Sequence, residues 1–163
     1  MTERDAHKPT AGVVSERDGD TGRIGGFRRL LGYRTGVWRL NYAEIVLDIE
    51  AKHLNSLGYL HGGVYTTLLD AAFGHAVCFC VLDGNVREAV TVSLLTTYLA
   101  PAKSGSIMAR GRVIGVEGRV ATVTGDVVLP DGTLCARGQA SFYYMAGSEK
   151  PEGVPKRPKW VKA

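Results

Sequence analysis

The stretch from His61 to Leu82, HGGVYTTLLDAAFGHAVCFCVL, decides the fold of this chain. It holds too many consecutive apolar residues for a solvent-facing strand and is too long for a buried one. It therefore predicts a central α-helix that is covered nearly all round. We reject a membrane span for the wider run from Leu54 to Leu82, because it would place Asp70 and His75 in hydrocarbon and lacks flanking Lys/Arg clusters.

Strand patterns lie on both sides of this helix. Before it, Leu30–Thr35 and Val37–Glu50 flank Gly36, and the second segment alternates apolar and acidic side chains with a period of two. After it come four β segments joined by short connections typical of antiparallel neighbours. These segments are Ala89–Ala100, Ser106–Val116, Arg119–Leu129 and Thr133–Met145.

The order of these patterns predicts an α+β fold. Two strands, one long helix and a four-stranded meander would give an antiparallel sheet of about six strands wrapped around the helix. A single helix covers only one face of such a sheet, so strands rich in Val and Leu predict further burial by self-association.

Length and composition indicate one domain, since the chain has 163 residues of which 45% are hydrophobic. We expect a disordered N-terminal arm over residues 1–22, a folded domain over 23–147, and a Pro/Lys-rich tail without regular structure over 148–163. No apolar run follows the N-terminal charges, so a signal peptide is not expected. The three cysteines form neither a disulfide framework nor a zinc pattern, which favours a reduced, cytoplasmic protein.

Asp70 is the only Asp, Glu, Lys or Arg residue between Lys52 and Asp83. A buried ionised carboxylate costs several kcal/mol unless it is paired or its pKa shifts. Two interpretations stay open at this point: an ion pair or hydroxyl partner within the fold, or a catalytic acid or base.

His61-Gly62-Gly63 opens the predicted helix, where backbone N–H groups of the first turn lack helical partners. The glycines make either a tight turn or an oxyanion site. Gly62 and Asp70 are separated by about 12 Å of helix, too far for both to touch one carbonyl. If both act on the same bond, Asp70 must come from a second copy in a two-fold dimer with two composite sites.

The spaced set Asn55, His61-Gly62-Gly63, Asp70 and Thr91, followed by Tyr98-Leu99-Ala100-Pro101-Ala102, resembles a known family. It is similar to the hotdog-fold acyl-CoA thioesterases of the phenylacetate-catabolism (PaaI-like) and human thioesterase superfamily member 2 group, from about Leu30 to Met145. The resemblance implies a hotdog fold and thioester hydrolysis, with coenzyme A only as part of the substrate. The four histidines and three cysteines show no metal-ligand spacing, so we expect no metal.

The resemblance also implies roles for residues of this chain. The N–H of Gly62 would polarise the thioester carbonyl, and His61 would shape that pocket. Asp70 of the facing subunit would act as general base or nucleophile, with Thr91 orienting a water beside it. Asn55 would hydrogen-bond the water or the carbonyl.

Substrate contacts are predicted at Gly63, at Tyr65 and Phe73 along the helix, and at Arg110 and Arg112 for the phosphates of coenzyme A. Tyr65 and Phe73 also fit as core residues, and the two arginines also fit as a solvated face. A nucleic-acid partner is not expected, because the domain lacks an aromatic-basic platform motif.

Hydrolysis of an aryl- or short- to medium-chain acyl-CoA by a homodimer, or by a dimer of dimers (homotetramer), is the leading interpretation. The alternative is a non-catalytic acyl-CoA sensor on the same fold, for which a carboxylate aimed at the carbonyl is unnecessary. A hotdog hydratase or dehydratase ranks lower, because it needs a His and an acid placed to move protons at the second and third acyl carbons.

Overall fold

The computed structural model describes residues 25–156, so the predicted N-terminal arm lies outside the described residues. Within this range the chain forms two helices, one 3₁₀ turn at Ala51–His53, and eight strands. The helices are α1 (Gly26–Leu31) and α2 (Gly62–Cys78). The strands are β1 (Arg34–Arg39), β2 (Tyr42–Asp48), β3 (Asn85–Val86), β4 (Ala89–Tyr98), β5 (Ser106–Glu117), β6 (Val120–Val128), β7 (Leu134–Tyr144) and β8 (Val154–Pro155).

Six strands form one antiparallel sheet in the order β1-β2-β5-β6-β7-β4, which confirms the predicted α+β architecture. The predicted four-stranded meander is wrong at its first connection, because β4 pairs with β7 and not with β5. The segment between β4 and β5 runs past the start of α2. There the Leu60 N–H donates to Ala102 O at 2.8 Å, and the Ala102 N–H donates to the Tyr65 hydroxyl at 2.9 Å. As a result, β4 lies at an edge of the sheet.

The first hairpin differs from its predicted bounds. Leu30 and Leu31 belong to α1, which ends because Gly32 adopts a left-handed conformation (φ 80°) and donates its N–H to Arg28 O. Gly36 lies inside β1, and the chain reverses further on, where Asn41 has a φ of 61°. Asparagine tolerates this conformation better than most residues with a side chain, so the turn forms there.

Helix α2 packs on one face of the sheet with pairs of buried residues every four positions: Val64, Tyr65, Leu68, Leu69, Ala72, Phe73, Ala76 and Val77. Its other face, which includes Thr66, Asp70 and Ala71, is only partly covered. The expectation of a helix covered nearly all round is therefore not met within a single chain.

A row of glycines lets α2 approach the sheet. Gly111, Gly125 and Gly138 are paired in register across β5, β6 and β7. A Cβ at Gly111 would lie 2.7 Å from Ala72 O, and a Cβ at Gly138 would lie 2.8 Å from Leu69 Cδ1. The ring of Phe73, which is fully buried, fills the space above this row.

Helix α2 ends at Cys78, earlier than predicted, because Phe79 is extended and Arg87 donates to its carbonyl at 3.1 Å. Arg87 is buried, and it also donates to Ser148 O at 2.9 Å. The tail predicted over 148–163 does contain regular structure, since β8 pairs with β3 and Ser148 is buried, while its residues 157–163 lie outside the described residues. No helix within residues 25–156 is long and apolar enough to cross a membrane.

Candidate active site

The first turn of α2 presents one backbone donor. His61 is the N-cap, and its Nδ1 accepts the Gly63 N–H at 2.9 Å, so the neutral ring carries its proton on Nε2. The Val64 N–H donates to His61 O at 2.9 Å. Gly62 is the first helical residue, and its N–H has no acceptor within the helix. Gly62 can therefore polarise a carbonyl, whereas the Gly63 N–H, predicted to contact substrate, already has a partner.

Tyr98, at the end of β4, packs against Gly62. Its hydroxyl donates to Gly62 O at 3.2 Å and lies 2.9 Å from Thr66 Oγ1. Its ring atoms lie 3.4 to 3.5 Å from the position of a Cβ on Gly62. Sequence reasoning placed Tyr98 in a motif but gave it no role in the site, although an aromatic residue shortly before an Ala-Pro-Ala loop was a usable signal.

Asp70, two turns further along α2, pairs with the other end of β4. The Thr91 hydroxyl donates to Asp70 Oδ1 at 2.8 Å, so the structure brings these two predicted residues together. The expected buried carboxylate is not found in the single chain: Asp70 is partly exposed and Thr91 is exposed. The physical reason is that β4 is an edge strand, whose outer edge no other described strand covers.

Tyr33 is a neighbour of Asp70 that sequence reasoning missed. Burial is the main reason why the pKa of Tyr33 is raised; nearby Arg28 lowers it, and the charge of Asp70 raises it further. No sequence pattern links Tyr33 to Asp70, so only the fold reveals that they are close.

Asn55 organises the loop that leads into α2. Its Oδ1 accepts the N–H groups of Leu57 at 2.9 Å and Tyr59 at 3.2 Å. The side-chain oxygen is therefore committed to the loop, and the side-chain NH₂ is the group that can reach a water or a carbonyl.

Tyr65 and Phe73, predicted to contact substrate, both lie in the core. Tyr65 is 4% exposed and its hydroxyl accepts the Ala102 N–H, while Phe73 is 0% exposed above the glycine row. Tyr65 packs edge-on against Tyr98, with ring centroids 6.0 Å apart, so it contacts the site from the core side.

Arg110 and Arg112 are not brought together with Gly62 and Asp70. Gly111, between them, faces α2, so the two arginines point to the opposite face of the sheet. There they line a cleft of about 430 Å³ together with Tyr42, Thr124, Asp126 and Arg137. Among the described residues, no group of His, Cys, Asp and Glu side chains could hold a metal ion.

Comparison with known proteins finds similarity to one family. The model of the Thioesterase superfamily matches residues 57–136, which include Gly62, Asp70, Thr91 and Tyr98. Acyl-coenzyme A thioesterase 13 of Mus musculus is 39% identical over 59 residues, which cover 36% of this chain and 40% of that protein. The chain covers only 34%, 40% and 62% of the lengths of the first three curated relatives.

Solved structures agree with this assignment. A mutant of the phenylacetic acid degradation protein PaaI from Thermus thermophilus is 27% identical with a TM-score of 0.65, covering 74% of this chain and all of that one (100%). The PaaI protein of E. coli, at 18% identity, shows the fold alone, with a TM-score of 0.67 over 81% of this chain and 88% of that one. In sequence this chain is similar to the thioesterase superfamily, and it has the hotdog fold that the PaaI structures share.

Proposed function

We propose that this protein hydrolyses the thioester bond of an aryl- or short- to medium-chain acyl-CoA, and that each active site combines Gly62 of one chain with Asp70 of another. The observation that carries the proposal is the arrangement along β4: Tyr98 contacts Gly62 at one end, and Thr91 binds Asp70 at the other. Similarity to the thioesterase superfamily supports the reaction type.

The edge of β4 supports a dimer. Its apolar side chains Val90, Val92 and Leu95 are 53%, 64% and 69% exposed, and its outer edge is unpaired among the described strands. A long, apolar, unprotected edge strand pairs with another strand when one is available. A second copy of β4 is the simplest partner, because it gives a closed two-fold dimer.

Antiparallel pairing of two β4 strands about an axis next to Leu95 would complete the site. The bulge between Thr91 and Ser93 adds one residue to β4, so with the axis at Leu95 Tyr98 of one chain faces Thr91 of the other, about 5 Å away. The partner's Asp70, bound to that Thr91, would face Gly62 on the same side of the joined sheet. This pairing would bring together two groups that lie about 12 Å apart along one helix.

The chemistry follows from these groups. The Gly62 N–H, at the positive end of α2, stabilises the charge that develops on the thioester oxygen. The carboxylate of Asp70, held by Thr91, either takes a proton from a water that attacks the carbonyl carbon or attacks that carbon itself, and the thiolate of coenzyme A leaves. In the second route water then hydrolyses the anhydride between the acyl group and Asp70, which releases the acid. The NH₂ of Asn55 orients the water or the carbonyl.

We propose a dimer of dimers formed through a further face of the sheet, and a reducing, cytoplasmic setting in keeping with the free cysteines Cys78, Cys80 and Cys135. Arg110 and Arg112 remain predicted contacts for the phosphates of coenzyme A, and they form no ion pair with another described residue.

Release of free coenzyme A from a panel of acetyl- to palmitoyl-, benzoyl- and phenylacetyl-CoA tests the proposal. Asp70→Asn should lower kcat at least about a hundredfold, because it removes the base or nucleophile and keeps the shape. Asp48→Asn, which breaks only an exposed ion pair with Arg34, is the matched control and should keep parental activity. Thioesters that bind but are not cleaved would instead indicate an acyl-CoA sensor.

A further inference from the structure

We propose that Tyr98 is a positioning residue that holds the Gly62–Gly63 peptide and so keeps the Gly62 N–H aimed at the thioester carbonyl. The inference rests on the proposed function. Tyr98 lies outside the set of predicted site residues, and its contacts are made at the start of α2.

Two hydrogen bonds hold the Gly62–Gly63 peptide, one on its C=O and one on its N–H. The C=O of Gly62 accepts the Tyr98 hydroxyl at 3.2 Å, and the N–H of Gly63 donates to His61 Nδ1 at 2.9 Å. These two groups belong to one peptide unit, so Tyr98 and His61 together restrain its rotation.

This restraint matters because the unit joins two glycines. Glycine lacks a Cβ and has access to a wide range of backbone conformations, so the peptide has no steric restraint of its own. A donor contributes most to catalysis when it is already oriented before charge develops. The Gly62 N–H belongs to the preceding peptide unit, which meets this one at the Gly62 Cα, so a looser Gly62–Gly63 peptide would leave the N–H present but less well aimed.

Tyr98 is itself held in place. Its hydroxyl oxygen lies 2.9 Å from Thr66 Oγ1, and the single hydroxyl proton of Thr66 can be donated either to it or to Thr96 Oγ1, 3.2 Å away. The Tyr98 ring packs edge-on against buried Tyr65, with an interplanar angle of 74°. Tyr98 is nonetheless 54% exposed, which leaves its outer side free to face the partner's Asp70 in the dimer proposed above.

The test is Tyr98→Phe, which removes the hydroxyl and keeps the ring. We expect kcat to fall about five- to tenfold while KM changes less than about twofold, as for the loss of one oriented hydrogen bond. Thr66→Val, which removes the group that orients the hydroxyl, should shift kcat in the same direction by a smaller factor. Tyr143→Phe, on the outer face of β7, is the matched control and should leave both constants unchanged.

Binding of two unreactive analogues separates positioning from general loss of structure. A ketone analogue, in which CH₂ replaces the thioester sulfur, keeps the carbonyl, whereas a thioether analogue lacks it. Tyr98→Phe should weaken the ketone about fivefold and leave thioether binding unchanged. Equal weakening of both, or unchanged kcat and ketone affinity, would overturn the positioning role. A parent enzyme that cleaves no thioester overturns the proposed function instead, and the ketone comparison still decides the role of Tyr98.

Discussion

At the scale of single residues, His75 shows how a histidine next to the site can serve the fold alone. It lies five residues after Asp70, but it contacts β1, with Nε2 3.4 Å from Thr35 Oγ1 and the Trp38 ring centroid 5.4 Å from its own. Its Nδ1 lies 2.7 Å from Ala71 O. Burial is the main reason why the pKa of His75 is lowered below 6.5.

The lowered pKa of His75 predicts a pH-dependent stability. Below pH 6.5 the unfolded chain binds a proton at this residue that the folded chain resists, so the free energy of unfolding falls as the pH falls. In His75→Asn this contribution is absent, and the decrease from about pH 8 to about pH 5 should be shallower than in the parent. Urea unfolding at several pH values measures this decrease in the free energy of unfolding. If that free energy falls in parallel with pH in parent and variant, His75 is not the group responsible.

Sequence reasoning proposed several site residues but could not give their contacts. Gly62 and Asp70 were singled out by a helix start and a lone carboxylate, and Thr91 by the family resemblance; their catalytic roles stay predictions. The contact between Tyr98 and Gly62 joins residues 36 positions apart, and it depends on β4 lying at the sheet edge. Nothing local to Tyr98 specifies that placement.

At the scale of elements, the glycine row sets how closely α2 approaches the sheet. Gly111→Ala would place a Cβ 2.7 Å from Ala72 O, a backbone atom that cannot rotate away, so we expect a loss of about 1–3 kcal/mol of unfolding free energy. Gly115→Ala, also on β5, meets nothing within 4 Å and is the matched control. Equal stabilities in chemical denaturation would show that the helix can shift without cost.

Gly62→Pro tests the backbone donor without removing the helix. Proline is well tolerated at the first helical position, and His61 already has the extended conformation (φ −64°, ψ 136°) that precedes proline. Only the N–H is lost, so kcat should fall about a hundredfold while helix content by circular dichroism is kept. Gly62→Ala adds a Cβ but keeps the N–H, and it should retain most of the activity; equal losses in both variants would exclude the donor role.

The bounds of helices and strands were predicted well where local sequence patterns determine them. The pairing of strands was predicted wrongly where the paired strands are distant in sequence. The start of α2 and the bounds of β5 to β7 followed from apolar periodicity and from turn signals such as Gly132, where φ is 88°. The neighbour of β4 could not be predicted, because the order of strands depends on which strand α2 covers. The β8 segment was not predicted, because the chain before it is held by a residue distant in sequence: buried Arg87 donates a hydrogen bond to Ser148 O.

At the scale of the whole molecule, two adjacent surfaces are not fully covered by the described residues: the outer edge of β4 and the face of α2 that carries Thr66 and Asp70. One two-fold partner would cover both. This would also explain why a carboxylate expected to be buried is partly exposed in one chain.

Complementation between two inactive variants tests the composite site most directly. In a mixed dimer of Asp70→Asn and Gly62→Pro chains, one site carries both defects and the other carries neither, provided that each site takes its two groups from different chains. Random mixing of refolded chains in equal amounts should therefore restore about one quarter of parental activity, measured as release of coenzyme A. If Gly62 and Asp70 act within one chain, every site keeps one defect, and a mixture that stays inactive although mixed dimers form would contradict the account.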